Sequence, residues 1–189
     1  GEVWGSEAEP YPIDTIDELT SLATGFVSGA ISEAYIRLDA DLGYTGSSIG
    51  TPEHPFNGVF DGNGHTITVH GAESLFGANN GTVKALAVSV NMNNGSGYIG
   101  GIAGSNTGVI ERCYTSGNIN GAGAVIGGIA GQNFGVIKDC YSIVNSTENN
   151  SFGISGGGNG KITNCYSCGS TAQTGISTAE AITTAAHTL

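Results

Sequence analysis

The chain has 189 residues, enough for about one domain, with 33 glycines, 39% apolar residues and a formal net charge of −11. Its five Lys/Arg are too few to neutralise a nucleic-acid backbone or to favour an anionic membrane surface, which argues against both partners, and no apolar run nears the ~20 residues of a membrane span. Apolar content at this level does not belong to a disordered chain, and frequent glycine in an ordered one means many tight turns.

Residues 1–73 carry twelve Asp/Glu and a single basic residue, Arg37, whereas residues 74–189 carry four of each sign. Nothing in the first residues reads as a signal peptide. Residues 1–11 read as an N-terminal arm, and residues 12–189 as a single domain. Within it, 12–34 is a lead-in containing a short amphipathic helix. Ile13, Ile16, Leu19, Ala23 and Phe26 form the apolar stripe, Thr15 and Glu18 a capping box, and Gly25 a stop signal.

Residues 35–73 form the first coils. YIRLDADL (35–42) alternates, with Ile36, Leu38, Ala40 and Leu42 on one face and Tyr35, Arg37, Asp39 and Asp41 on the other, as in a strand. VFDGNGHTITV (59–69) reads as a strand pair around a tight turn, from Asp61-Gly62 and Asn63-Gly64.

From residue 74 to 170 the chain repeats itself. IGGIAGSNTGVIERCY (99–114) and IGGIAGQNFGVIKDCY (126–141) agree at twelve of sixteen positions, at an offset of 27. Leu75, Ile102 and Ile129 keep that step, and so do Val83, Ile110 and Ile137. A fourth copy follows with Ile154, Ile162, Cys165 and Tyr166. The apolar positions are short, β-rich and separated by glycine turns. These features predict an all-β right-handed parallel β-helix of about 25–27 residues per coil, like positions stacking ~4.8 Å apart. Residues 171–189 close the chain, with Ser177 and Glu180 marking a second, C-terminal helix.

Stacking assigns each column a role. Asn79, Asn106, Asn133 and Asn159 form an amide ladder at a turn where asparagine tolerates the left-handed region. Cys113, Cys140 and Cys165 take the slot that Leu86 fills earlier, which marks them as buried thiols. Tyr114, Tyr141 and Tyr166 then face outward, as a mutually covering ring stack or, alternatively, as a sugar-binding surface. Lys84, Glu111 and Lys138 alternate in sign, and Arg112 stands beside Asp139.

PFNGVFDGNGHTITV, SLFGANNGTVKALAV and IGGIAGSNTGVIERCYTSGNI resemble bacterial cell-surface proteins carrying GLUG-motif repeats, over residues 12–170. The resemblance implies a right-handed parallel β-helix, secreted or surface-attached, adhesin-like or found beside peptidase domains, and carries no catalytic residues. It implies an extracellular ligand, a glycan or a surface protein, and further domains in a longer chain.

No catalytic, cofactor or metal residues are assigned. His54, His65, His70 and His187 do not form the His-Glu-x-x-His pattern of a metallopeptidase, and the lone Cys165-x-x-Cys168 does not make a zinc site. Asp61-Gly-Asn63-Gly lacks the twelfth-position carboxylate of a calcium loop. The rival to a non-catalytic scaffold is a β-helix polysaccharide lyase, whose sole local match is Arg37 with Asp39 and Asp41. An accessory domain of a secreted peptidase is the other alternative.

Overall fold

A computed structural model of the chain describes residues 1–169; the helix expected at Ser177 and Glu180 lies outside the described residues. The fold is a parallel β-solenoid of about six turns, 49% strand, with one short helix. Each full turn visits the same faces in order. The first face stacks Ile31–Leu38, Gly58–Asp61, Thr82–Lys84, Val109–Glu111, Val136–Lys138 and Lys161–Thr163. The second stacks Leu42–Tyr44, Thr66–Gly71, Ala87–Met92, Tyr114–Ile119, Tyr141–Asn145 and Tyr166–Ser167. The third stacks Phe76–Asn79, Ala103–Asn106, Ala130–Asn133 and Ser155–Gly157, and a small sheet of Tyr98–Gly100, Val125–Gly127 and Ser151–Phe152 lies between second and third.

Register is unshifted through the repeats: Ile110 pairs with Val83 below and Ile137 above. From Ile36 to Phe60 and on to Val83 the coils span 24 and 23 residues, shorter than the expected 25–27 that the later coils keep. The column Ile36, Phe60, Val83, Ile110 and Ile137 is almost fully buried, and each such side chain contributes about 1.5–3 kcal/mol. Near the N-terminal end aromatic rings fill the interior, with Phe56 in contact with Phe26, Phe60 and Phe76 at centroid distances of 5.2, 6.4 and 5.2 Å. Farther up, Thr115 and Ser142 replace Val88 in the inward column. Gly101 and Gly128 face them, where an added Cβ would come within 2.8 and 2.2 Å of the Thr115 and Ser142 side chains. The glycines of the GGIAG segments are therefore set by close packing.

The N-terminal end is closed by the helix Ile16–Val27, whose Thr15–Glu18 capping box is present. Its buried face is Leu19, Leu22, Ala23 and Phe26. Ile16, expected on that stripe, is 51% exposed. Gly25 does not stop the helix: a Cβ there would lie 2.3 Å from the Ile31 side chain, so glycine lets helix and sheet approach. The stop is Gly29, at φ +73°. Residues 1–11, expected as an arm, join the first face: Glu2–Trp4 and Tyr11–Ile13 both pair with Ile31–Leu38.

Two expected strands resolve into corners. YIRLDADL leaves the first face at Leu38 and resumes on the second at Leu42. Gly58–Asp61 and Thr66–Gly71 pair with neighbouring coils and not with each other, so the turn around Asn63 (φ +52°) and Gly64 (φ +77°) joins two faces. In later coils one left-handed residue makes this corner: Ala85, Arg112, Asp139 and Asn164, at φ between +51° and +54°. Left-handed backbone costs an L-residue about 1–2 kcal/mol, more than glycine's extra entropy of about 0.5–1 kcal/mol. Ala85→Gly is therefore expected to stabilise the fold by about 0.5–1 kcal/mol, seen as a higher urea midpoint at unchanged slope.

Candidate functional site

The side chains that carry chemistry lie in columns, and their partners are mostly the same position one coil away. Asn79, Asn106 and Asn133 are buried at the end of the third face. Asn79 Nδ2 donates to Asn106 Oδ1 and Asn106 Nδ2 to Asn133 Oδ1, each at 2.8 Å, and Asn133 Nδ2 donates to the Lys161 carbonyl at 3.3 Å. Asn79 and Asn106 also donate to the carbonyls of Gly81 and Gly108 at 3.2 Å. None of the three has the left-handed backbone expected of them, which belongs to the corner residues.

Asn159 is not a rung of this ladder. Gln132 pairs with Gly157, which puts Gly158 above Asn133 and leaves Asn159 exposed, above Phe134. Gly158 has φ +93°, and a Cβ there would lie 2.0 Å from the Asn133 carbonyl, so the slot cannot hold an asparagine. This coil is two residues shorter than the one before it, and the two fall between Asn145 and Ser151, since Asn118 pairs with Asn145 but Ile126 with Ser151.

The ladder is directional. Each amide spends its N–H on the next oxygen, and the first oxygen, Asn79 Oδ1, is buried without a partner. The residue paired with Asn79 in the preceding coil is Phe56, which has no donor to offer.

Cys113, Cys140 and Cys165 are 2–3% exposed and free. Their thiols lie 3.2 Å from the carbonyls of Glu111, Lys138 and Thr163. Hydrogen bonding to the neighbouring thiol, followed by burial, pushes Cys140 and Cys165 well above the ordinary cysteine range. Cys168 is exposed, so the two ends of the CxxC diverge. Tyr114, Tyr141 and Tyr166 are half-buried, with ring centroids 4.3 and 6.4 Å apart. The rings lie against one another, and Tyr141 has a neighbour on each side.

The charged column is longer than the repeat itself. Arg37, Asp61, Lys84, Glu111 and Lys138 are successive register partners and alternate in sign without a break. Lys138 Nζ lies 2.9 Å from Glu111, and Lys84 Nζ 3.7 Å from Asp61. The expected Arg112–Asp139 neighbourhood makes no ion pair: Arg112 turns to Glu111 at 3.5 Å, and Asp139 accepts from Asn164 at 2.9 Å. Of the two other changed positions, Thr107 donates to Asn80 at 3.0 Å where its counterpart Phe134 is 50% exposed, and nothing in the structure explains Phe134 or the change from Ser105 to Gln132.

The residues of the lyase alternative lie at the corner after Leu38. Arg37 holds Asp39 through two bonds of 2.7 and 2.8 Å, which lowers the Asp39 pKa. Asp41 accepts from the Thr66 N–H at 2.8 Å and lies 3.1 Å from His65 Nδ1, and both interactions lower its pKa. The three residues therefore do not share a strand face. Asp61 accepts from the Asn63 N–H at 2.8 Å, an Asx turn. His54 lies 3.3 Å from the Val27 carbonyl, His70 is exposed, and His187 lies outside the described residues. Among the described residues no three His, Cys, Asp or Glu are gathered as a metal site, and no helix is long and apolar enough to cross a membrane.

One feature escaped the reading by columns: an open groove of about 240 Å3 walled by Tyr98 and Glu73. Its sequence signal is a difference in spacing. Only four residues join Gly71 to Phe76, where ten join Met92 to Ala103.

Fold and columns together define a stacked-repeat parallel β-solenoid. No family model matches the chain, and neither does any curated protein or solved structure.

Two outcomes check the columns. Asn106→Ala, which strands buried partners on both sides, is expected to cost about 2–3 kcal/mol and more than Asn79→Ala, measured by urea denaturation. A thiol reagent is expected to label only Cys168 of the four cysteines in the folded protein, and all four after unfolding.

Proposed function

We propose that the chain is a non-catalytic module of a bacterial secreted or cell-surface protein. It is an adhesive or ligand-presenting scaffold, or a spacer that holds other domains apart, as the GLUG-like sequence implies. The observation that carries this reading is where the repeat side chains spend their chemistry. Amides bond to amides in successive coils, tyrosine rings lie on tyrosine rings, and Lys138 pairs with Glu111 across one coil step. Groups engaged with their own copies are building material. About six turns at ~4.8 Å make a rod on the order of 30 Å long, a useful dimension for a spacer or display element.

Incubation with acidic and neutral polysaccharides and with protein substrates, with and without calcium or zinc, is expected to give no turnover. Surface proteolysis of intact producing cells is expected to release the domain. Metal-dependent cleavage lost in Asp39→Asn or Asp41→Asn would replace the scaffold with the lyase alternative, and a domain protected until the cells are broken would remove the surface location.

A further inference from the structure

The groove beside Tyr98 is built by a deletion. In the two coils above, ten residues connect the second face to the third, from Met92 to Ala103 and from Ile119 to Ala130, and each connection contributes a strand to the small sheet. Below them only four residues connect Gly71 to Phe76, and no small-sheet strand is formed there. Tyr98–Gly100 therefore has a strand partner on one side only, Val125–Gly127. On its other side lies the groove of about 240 Å3.

Three features give the groove its chemistry. Its wall is Tyr98, a residue 49% exposed although it belongs to a strand. Its floor is nearly bare backbone: a Cβ on Gly77 would lie 2.4 Å from the Gly50 carbonyl, and one on Gly104 would lie 2.9 Å from the Gly77 carbonyl. Its rim carries the Glu73 carboxylate and the hydroxyls of Ser48, Thr51 and Ser96. The wall is tied down, because the Gly100 N–H donates to Ser74 Oγ at 2.9 Å and Ser48 Oγ donates to the Ser74 carbonyl at 2.6 Å.

We infer that this groove binds one ring of a neutral glycan, an inference that rests on the ligand-presenting reading above. A pyranose has an apolar C–H face and a girdle of hydroxyls. The face suits a flat aromatic wall, and neighbouring hydroxyls suit a carboxylate that accepts from both. The volume is below the roughly 300–1,000 Å3 typical of larger small-molecule sites, which sets the occupant at about one ring. Glu73 and the net charge of −11 disfavour an anionic sugar. The short connection places the site at the side of the rod, where a chain of sugars can continue past it.

The test uses the full chain in affinity electrophoresis against soluble neutral polysaccharides of gluco, manno and galacto configuration. At least one is expected to retard the protein, with little dependence on salt. Tyr98→Ala, and Ala72→Trp to fill the groove, are expected to weaken that binding about tenfold or more, while Tyr98→Phe keeps it within about threefold. Tyr98→Ala removes an exposed ring, so its melting temperature is expected to match that of the parent and to separate lost binding from lost fold. Binding that survives both Tyr98→Ala and Ala72→Trp would place the glycan elsewhere, overturning the groove while leaving the scaffold reading intact. No retardation by any neutral glycan, or retardation only by amino-bearing polymers that salt abolishes, would overturn the inference. Turnover of a substrate would instead sink the scaffold reading.

Discussion

The structure depends on one constraint, an unshifted parallel register between successive coils. Each side chain sits about 4.8 Å from its own counterpart, so every column must be compatible with itself. Apolar residues meet the requirement at no cost, and amides meet it because each carries both a donor and an acceptor. Tyrosines meet it by covering ring with ring. A charge cannot stack on its like, and its workable column is an alternating one. Arg37, Asp61, Lys84, Glu111 and Lys138 obey that rule over five coils and use three of the five basic residues of the chain.

Self-compatibility leaves the ends to be solved separately. A head-to-tail amide column has an unused acceptor at one end and an unused donor at the other. The Lys161 carbonyl takes the donor of Asn133, while the acceptor of Asn79 stays unpaired next to the coil that carries Phe56. The same end holds the aromatic cluster and the capping helix, and its coils are the shortest. Apolar volume closes the stack where polar pairing stops. Toward the other end glycines approach inward side chains closely, and Thr115 and Ser142 occupy inward sites that Val88 fills below.

Where columns keep a constant step, the sequence is a direct record of the structure. Cys113 over Leu86, Tyr141 over Tyr114 and Ile129 over Ile102 follow from a step of 27, because in a solenoid sequence period and spatial neighbourhood coincide. The helix start was equally legible, since the Thr15–Glu18 box is local chemistry that needs no tertiary partner. Asn159 matches the ladder by letter and not by place, because backbone register is counted in residues, and that count puts Gly158 in the slot.

The sequence by itself determined the class of fold, the inward and outward columns and the alternation of charge, because each is a property of a period. Tertiary structure alone decided what depends on groups far apart in the chain. Asp61-Gly-Asn-Gly could serve a hairpin or a corner, and pairing with the adjacent coils made it a corner. Gly25 could end a helix or admit a neighbour, and the position of Ile31 made it the second. The corners settled on Ala85 and Arg112, which local propensity disfavours, since the path between two faces allowed one left-handed residue whatever its side chain. The groove came from six residues missing in one coil and a tyrosine offered by the next. A periodic reading treats a missing segment as an irregularity, and only the stacked chain turns it into a wall and a floor.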